Sequence, residues 1–345
     1  MAESSIEWTD SVWNPVTGCS KVSPGCAHCY AEALTMRFAS SWGAPRLPWT
    51  PANAAENVIL HPDRLAHPLR WKQPRMVFVN SMSDLFHEQV PDEFIARVFA
   101  VMAAASQHTF QVLTKRPERM RDLLNDDVFA EWVTTYACEW VDRRGDTFLS
   151  DDAYNTAPAT ANVWLGVSIE NRRFVHRADL LRETPAAVRF ISAEPLLGPL
   201  VGEVERPAEG AEDDAGGASL IGSRVPRVGE AEPHTTDQPA AASSVRSTFG
   251  TGATIGTPEP VRLPDSTPKR GALDLTDIDW LIVGGESGPK ARMVDANWVR
   301  ALRAEAIASS TRFFFKQWGG VRPQAGGRVL DGRTWDDMPE VLAHA

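Results

Sequence analysis

Three cysteines near the amino terminus have the spacing of a metal-binding loop. Cys19, Cys26 and Cys29 form a C-x6-C-x2-C pattern, and the fourth cysteine of the chain, Cys138, lies far from them in sequence. Such a cluster in a cytoplasmic chain indicates metal or redox chemistry and not a disulfide framework. Thiolates bind iron–sulfur clusters and zinc alike. The residue types therefore predict a metal centre on this loop.

The number of cysteines favours a 4Fe–4S cluster over zinc. A closed structural zinc site needs four ligands, and only His28 or Cys138 could supply the fourth. Three cysteines suit a 4Fe–4S cluster in which one iron stays open to an outside ligand. Zinc, or no metal at all, remains as an alternative.

A series of short apolar segments predicts the strands that position this loop. Each segment is rich in β-branched or aromatic residues and ends in a polar or glycine-rich group. Helical spacing of apolar residues occurs at 91–102 and 294–306, and the residues after Cys29 also look helical. Strands that alternate with helices indicate an α/β fold with a parallel sheet. The six segments are 77–84, 110–117, 163–171, 188–195, 280–288 and 313–319.

The strand count predicts a partial (β/α) barrel of about six or seven parallel strands. An open, doubly wound sheet fits the same count and remains an alternative. Residues 1–200 form the first part of the predicted barrel and carry the cluster loop, and residues 276–345 form its last part.

The segment between them, 201–275, is predicted to be a disordered acidic insertion of low complexity. It holds 12 acidic and 7 basic residues, a net of −5 out of −10 for the chain, and is rich in Gly, Ala, Pro, Ser and Thr. Such a segment buries too little apolar surface to offset the entropy of ordering it. A second, weaker insertion is expected at 125–161 and includes Cys138.

Composition excludes several classes of protein. No apolar run approaches the roughly 20 residues that cross a bilayer, so no membrane association is expected. The segment 1–8 is acidic and lacks the apolar core of a signal peptide, which predicts a cytoplasmic protein. The net charge of −10 argues against a broadly basic nucleic-acid-binding surface and leaves room only for a local basic groove.

Polar residues that follow the predicted strands are candidate ligand contacts, because functional groups in parallel α/β folds lie past the carboxyl ends of strands. Ser81, Ser83 and Asp84 follow the first segment, where Asp84 would bind an ammonium group or, alternatively, begin a helix. Lys115, beside Arg116, would bind a carboxylate or phosphate, or else form a solvated basic turn.

The remaining candidates follow the later segments. Ser168 and Glu170 would hydrogen-bond a ribose, and Glu194 would do the same or act as an acid or base. Gly284 and Gly285 permit close approach of a ligand to the backbone, and Glu286 follows them. For each of these residues a purely structural role is an equal alternative.

Two sets of motifs resemble known families. The layout Asn-Pro-x-x-Gly before Cys19, with Tyr-Ala after Cys29, is similar to the cluster loop of radical S-adenosylmethionine (SAM) proteins of the spore photoproduct lyase type. That loop is more often C-x3-C-x2-C, so this one has three extra residues. A family of phage and bacterial proteins, known mainly by a phage gene-product label, resembles nearly the whole chain. That resemblance rests on the segments 80–87, 113–120, 164–168, 194–199, 283–288 and 315–319.

The resemblance implies a radical-SAM-like enzyme. Its cofactors would be a 4Fe–4S cluster on Cys19, Cys26 and Cys29 and SAM, and it would need an electron donor. Gly284, Gly285 and Glu286 resemble the element that contacts the methionyl amine of SAM. The substrate is unknown, with a nucleic-acid base as one candidate. Two alternatives belong to other classes: an iron–sulfur nucleic-acid-binding or phage-defence accessory protein without SAM turnover, and a zinc-stabilised, non-enzymatic module.

Overall fold

The structure is a computed structural model that describes residues 4, 6–144, 161–202, 271–322 and 324–340. Seven of its strands form one parallel sheet, which curls into a half-barrel. In chain order these strands are β1 (Ser11–Trp13), β4 (Met76–Val79), β5 (Thr109–Thr114), β6 (Val163–Ser168), β7 (Val188–Ala193), β8 (Trp280–Gly284) and β9 (Arg312–Gln317). The short strands β2 (Val16–Thr17) and β3 (Ile59–Leu60) form a separate antiparallel pair.

The order of the strands distinguishes a half-barrel from a doubly wound sheet. The sheet runs β1-β4-β5-β6-β7-β8-β9, so each strand lies beside the one before it and the order never reverses. A doubly wound sheet has a reversal point, at which its ligands bind. The predicted partial barrel of six or seven strands is therefore confirmed, and the doubly wound alternative is wrong.

Helices cover one face of the curled sheet. They are α1 (Tyr30–Trp42), α2 (Ala54–Asn57), α3 (Asp92–Ala104), α4 (Pro117–Leu124), α5 (Asp127–Arg144), α6 (His176–Arg182) and α7 (Ala296–Ala308). Helix α3 begins after Pro91 with two acidic residues in its first turn, which suits the positive end of the helix dipole. Within the described residues, no helix is long and apolar enough to cross a membrane.

Alternate residues of each strand divide the core in two. One set packs against the helices, where Phe94 and Phe99 of α3 and Leu302 of α7 are buried with the strand residues Val77 and Val112. The other set points into the curl, as expected for the two faces of a strand. It forms an aromatic cluster made of Trp8, Phe78, Trp164, Phe190, Trp280 and Phe314. This cluster fills the inside of the half-barrel away from the carboxyl ends of the strands.

The predicted insertions have different outcomes. Most of 201–275 lies outside the described residues, but at its edges Val201, Leu273 and Leu275 are buried in the core, so these residues belong to the barrel. The weaker insertion at 125–161 is wrong for its first part, because α5 buries Phe129 and Val133 against the core. Residues 145–160 lie outside the described part of the chain.

Candidate metal centre

The carboxyl ends of the seven parallel strands meet at one edge of the half-barrel, which we call the exit edge. Each predicted site residue other than the cysteines follows or ends one of these strands, so the fold brings these residues to the same edge. The three cysteines lie on the segment between β2 and α1, which we call the cysteine loop. From the strands come Ser81, Ser83, Asp84, Lys115, Ser168, Glu170, Glu194, Gly284, Gly285 and Glu286.

The start of the cysteine loop is fastened to the residues that follow β4. The backbone N–H of Gly18 donates to the carbonyl of Met82 at 2.9 Å, and the Ser83 hydroxyl donates to the carbonyl of Val16 at 2.9 Å. The Ser81 hydroxyl is within 3.2 Å of the side-chain amide of Asn14. Ser81 and Ser83 thus support the loop through their hydrogen bonds.

Gly18, immediately before the first cysteine, has no room for a side chain. Its φ is +84°, and a Cβ atom there would lie 1.7 Å from the carbonyl oxygen of Asn57. A residue other than glycine would therefore displace the backbone that leads into Cys19.

Arg116 connects the first cysteine to a buried acidic group. Its NH1 atom lies 3.6 Å from the sulfur of Cys19 and 3.2 Å from Oδ2 of Asp84, while its NH2 atom donates to the carbonyl and hydroxyl of Ser20. Its Nε atom donates to Glu88 at 3.0 Å. The Arg116 side chain is only 7% exposed.

The carboxylate of Asp84 is engaged by groups of the protein itself. Besides Arg116, it accepts hydrogen bonds from the Thr114 hydroxyl at 2.7 Å and from the backbone N–H groups of Lys115 and Phe86 at 3.1 Å each. Burial alone would raise the pKa of Asp84, but Arg116 and these donors lower it below its usual range. Asp84 is therefore an ionised partner of Arg116 and holds it beside the loop.

The environment of Cys19 and Cys29 favours the neutral form of these two thiols when no metal is bound. Burial raises the pKa of Cys19 to about 12 against the opposing charge of Arg116, and it raises the pKa of Cys29 as well. A negative charge on Cys26 raises the pKa of Cys19 and that of Cys29, so the three sulfurs are close enough to interact electrostatically. Metal binding here would release protons from these thiols.

A buried ion pair holds the middle of the loop from β6. The backbone N–H of Gly25 donates to Oε1 of Glu170 at 3.2 Å, and Arg177 of α6 donates to Oε2 of Glu170 at 3.0 Å. The side chains of Glu170 and Arg177 are 0% and 4% exposed. Although Glu170 was predicted as a ribose contact, its contacts here fix the loop.

A second carboxylate holds the end of the loop from β8. Oε2 of Glu286 lies 3.0 Å from Nδ1 of His28, and it accepts from the backbone N–H and Nε of Arg292 at 2.9 and 2.8 Å. The same arginine donates to the carbonyl of Pro24 at 3.1 Å. Burial opposes ionisation, but the hydrogen bonds from Arg292 and His28 lower the pKa of Glu286 to about 2.

The close backbone approach predicted at the double glycine is made by the chain itself. A Cβ atom at Gly285 would lie 2.1 Å from the carbonyl oxygen of Trp318, and the N–H of Gly285 donates to Gln317 at 2.9 Å. A Cβ atom at Gly284 would lie 3.3 Å from the Glu194 carboxylate carbon. The need for a glycine at position 285 is therefore explained by the packing of the end of β8 against the end of β9.

Small and polar side chains line the inner face of the half-barrel near the exit edge. By strand alternation, Ser168, Glu194 and Gly284 follow the same inward positions as the aromatic cluster. Glu194 accepts from Nζ of Lys316 at 2.8 Å. Lys115 lies beside Gly25, since a Cβ atom there would be 3.5 Å from Cε of Lys115, and no carboxylate pairs with Lys115 among the described residues.

The cysteine loop offers three thiols as donors to a metal centre. None of Cys19, Cys26 and Cys29 forms a disulfide. Within the described part of the chain, no three His, Cys, Asp or Glu side chains surround a position for a single metal ion. Zinc would require sulfurs at about 2.3 Å from one centre. A 4Fe–4S cluster takes each cysteine on a different iron, so three thiols match the number of protein ligands of a cluster with one open iron.

Comparison with protein families gives one match. A model described as a protein of unknown function, DUF5131, matches residues 3–339. The chain belongs to the DUF5131 family. No curated protein and no solved structure matches the chain. In this DUF5131 chain the match includes the cysteine loop and all the strands that carry the residues around it.

Sequence patterns missed the basic residues that hold the cysteine loop of the DUF5131 chain. Arg177 and Arg292 bind the two carboxylates, and His28, which the sequence suggests as a zinc ligand, contacts Glu286. Arg177 lies in α6 among other polar residues, His176, Asp179 and Arg182, and its burial, at 3% exposed, is seen only in the structure. Nothing in the local sequence distinguishes Arg292.

Proposed function

We propose that this DUF5131 chain is a radical-SAM-like enzyme that carries a 4Fe–4S cluster on Cys19, Cys26 and Cys29. The observation that carries the proposal is the placement of three thiols on one loop at the exit edge of a parallel half-barrel. When bound, the cluster supplies a low-potential electron and an open iron position for reductive cleavage of SAM. The chain's own residues orient the ligands and exclude water.

The contacts around the loop assign these residues their parts. Glu170 and Glu286 fix the loop from two strands, so the sulfurs of Cys26 and Cys29 are held before any ligand arrives. Lys115, beside the loop and without a carboxylate partner in the described chain, is available for the carboxylate of SAM. The inward Ser168 and the pair of Glu194 with Lys316 offer donors and acceptors for a ribose or substrate.

The test is anaerobic reconstitution of the full chain with iron and sulfide. We expect about four irons per chain and release of 5′-deoxyadenosine from SAM when a chemical reductant serves as electron donor. Cys29→Ala should lose iron and the product together, whereas Cys138→Ala, a matched change on α5, should retain both. Full iron content in Cys29→Ala would contradict the ligand assignment.

Other results of the same experiment identify the alternatives. Iron and sulfide without 5′-deoxyadenosine would favour an iron–sulfur nucleic-acid-binding or phage-defence accessory protein. Stoichiometric zinc without iron would favour a zinc-stabilised module.

Charge at the exit edge favours an anionic substrate such as a nucleic acid. Exposed cations stand after β6, β8 and β9, at Arg173, Lys290 and Arg322, and none has a carboxylate partner among the described residues. Such cations bind phosphates despite the net charge of −10. We expect Arg173→Gln to weaken binding of a labelled single-stranded oligonucleotide severalfold and to reduce its salt dependence. Arg312→Gln, at the opposite edge, should leave both unchanged, and equal effects of the two would contradict the proposal.

A further inference from the structure

Arg116 is the one cation that contacts a sulfur of the cysteine loop within the described chain. Resting on the proposed function, we propose that Arg116 is a positioning residue that fixes Cys19 and raises the reduction potential of the cluster. This role is not that of a substrate-binding residue, because all three nitrogens of the Arg116 guanidinium contact groups of the protein.

The geometry assigns each nitrogen of Arg116 to a separate task. NH1 reaches the sulfur of Cys19 at 3.6 Å and Oδ2 of Asp84 at 3.2 Å. NH2 binds the carbonyl and hydroxyl of Ser20 at 3.2 and 3.1 Å, and Nε binds Glu88 at 3.0 Å. One planar group thereby holds the cysteine, the residue after it and the sheet together.

The surroundings keep this arginine in a single orientation. Asp84 is itself fixed by the Thr114 hydroxyl and by two backbone N–H groups. His87, 1% exposed, accepts from the N–H of Gln89 at Nδ1, so its Nε2–H donates to the Ser20 hydroxyl at 2.9 Å. A lysine has a single nitrogen and cannot make these contacts at once.

A fixed positive charge beside a ligand sulfur would stabilise the reduced state of the cluster, which carries one more electron. Reduction adds one negative charge, and hydrogen bonds to the ligand sulfurs are a main control of cluster potentials. Arg116 is buried and Cys19 is partly buried, so salt screens this interaction weakly. NH1 contacts both the sulfur of Cys19 and the carboxylate of Asp84. The positive charge of Arg116 is therefore nearer to this sulfur than the negative charge of Asp84. Loss of Arg116 should therefore make the cluster harder to reduce.

The test measures the midpoint potential of the reconstituted full chain by redox titration followed with electron paramagnetic resonance. Arg116→Gln alone would leave Asp84 buried without its partner, so it is combined with Asp84→Asn, and Arg116→Lys is measured as a second variant. Arg119→Gln is the matched control, since Arg119 lies on α4, which begins directly after Arg116, and binds Asp92 and the carbonyls of His87 and Val90. Circular dichroism checks that each variant folds.

We expect the double variant to have at least a tenfold lower ratio of reduced to oxidised cluster at a fixed poise, about 59 mV for one electron. Arg116→Lys should shift in the same direction by less, and Arg119→Gln should match the wild type. Equal potentials in all loaded proteins would overturn this inference and leave the proposed function standing. Folded Arg116 variants that load no iron, beside a fully loaded control, would support the positioning of Cys19. A wild type without iron would overturn both proposals.

Discussion

Nδ1 of His28 and Oε2 of Glu286 lie 3.0 Å apart, although 258 positions separate them in the chain. This contact joins the cysteine loop to the strand β8, and Arg292 adds a second link to the carbonyl of Pro24. The loop that carries the thiols is therefore fixed by a part of the barrel that is distant in sequence.

Neutralising Glu286 should destabilise the protein. Glu286→Gln leaves His28 and Arg292 without their charged acceptor, and we expect a loss of about 2 kcal/mol in the free energy of unfolding, since Arg292 is partly exposed. Urea unfolding measures this. Asp331→Asn, which removes an exposed partner of Arg300 and Arg303, should cost less than about 1 kcal/mol. Equal losses of stability in the two variants would show that the contact of Glu286 with the loop contributes no more than an exposed ion pair.

The same carboxylate predicts a pH dependence of stability. The pKa of Glu286 is lowered from 4.5 to about 2, so its contribution is complete above pH 4.5 and is lost as the pH falls towards 2. In thermal unfolding, the difference between wild type and Glu286→Gln should be constant at neutral pH and shrink below pH 4.5. A difference that persists unchanged at pH 2 would refute the lowered pKa.

The pair of Glu170 and Arg177 should show strong coupling. Both side chains are buried, so Glu170→Gln or Arg177→Met alone should cost about 3 kcal/mol by leaving one charge unpaired. The double variant should cost clearly less than the sum of the two single variants, and a double-mutant cycle on unfolding free energies measures this. Simple additivity would show that the two charges do not interact.

Gly285→Ala tests the packing of β8 on the end of β9. A methyl group would lie 2.1 Å from the carbonyl oxygen of Trp318, and backbone cannot move aside cheaply, so we expect a loss above about 2 kcal/mol. Gly202→Ala, where nothing lies within 4 Å, should stay within about 0.5 kcal/mol of the wild type. A stable Gly285→Ala protein would show that this approach is looser than described.

The strands could be predicted because each buried segment carries its own local signal. Each of the six apolar segments overlaps a strand of the sheet, whereas β1, only three residues long, was not among them. Helix α5 was missed even though Phe129, Val133 and Ala137 repeat every four residues and are buried. The surrounding acidic and polar residues obscured that periodicity.

The candidate site could be predicted only in part, for a physical reason. Cysteine spacing is local, so the loop itself was identified from sequence. The partners of Asp84, Glu170 and Glu286 are set by which strands lie side by side, and no local pattern encodes that. The sequence therefore suggested ligand contacts at carboxylates whose oxygens bind arginine, histidine and backbone groups of the same protein.

The reach of Glu286 back to His28 has a consequence for biosynthesis. The cysteines leave the ribosome before the carboxylate that fixes their loop, which follows only after more than 250 further residues. A nascent chain would thus expose three thiols on an unsecured segment until those residues are made. We therefore expect a metal cofactor to be inserted after β8 and the residues that follow it have been made and have folded against the loop.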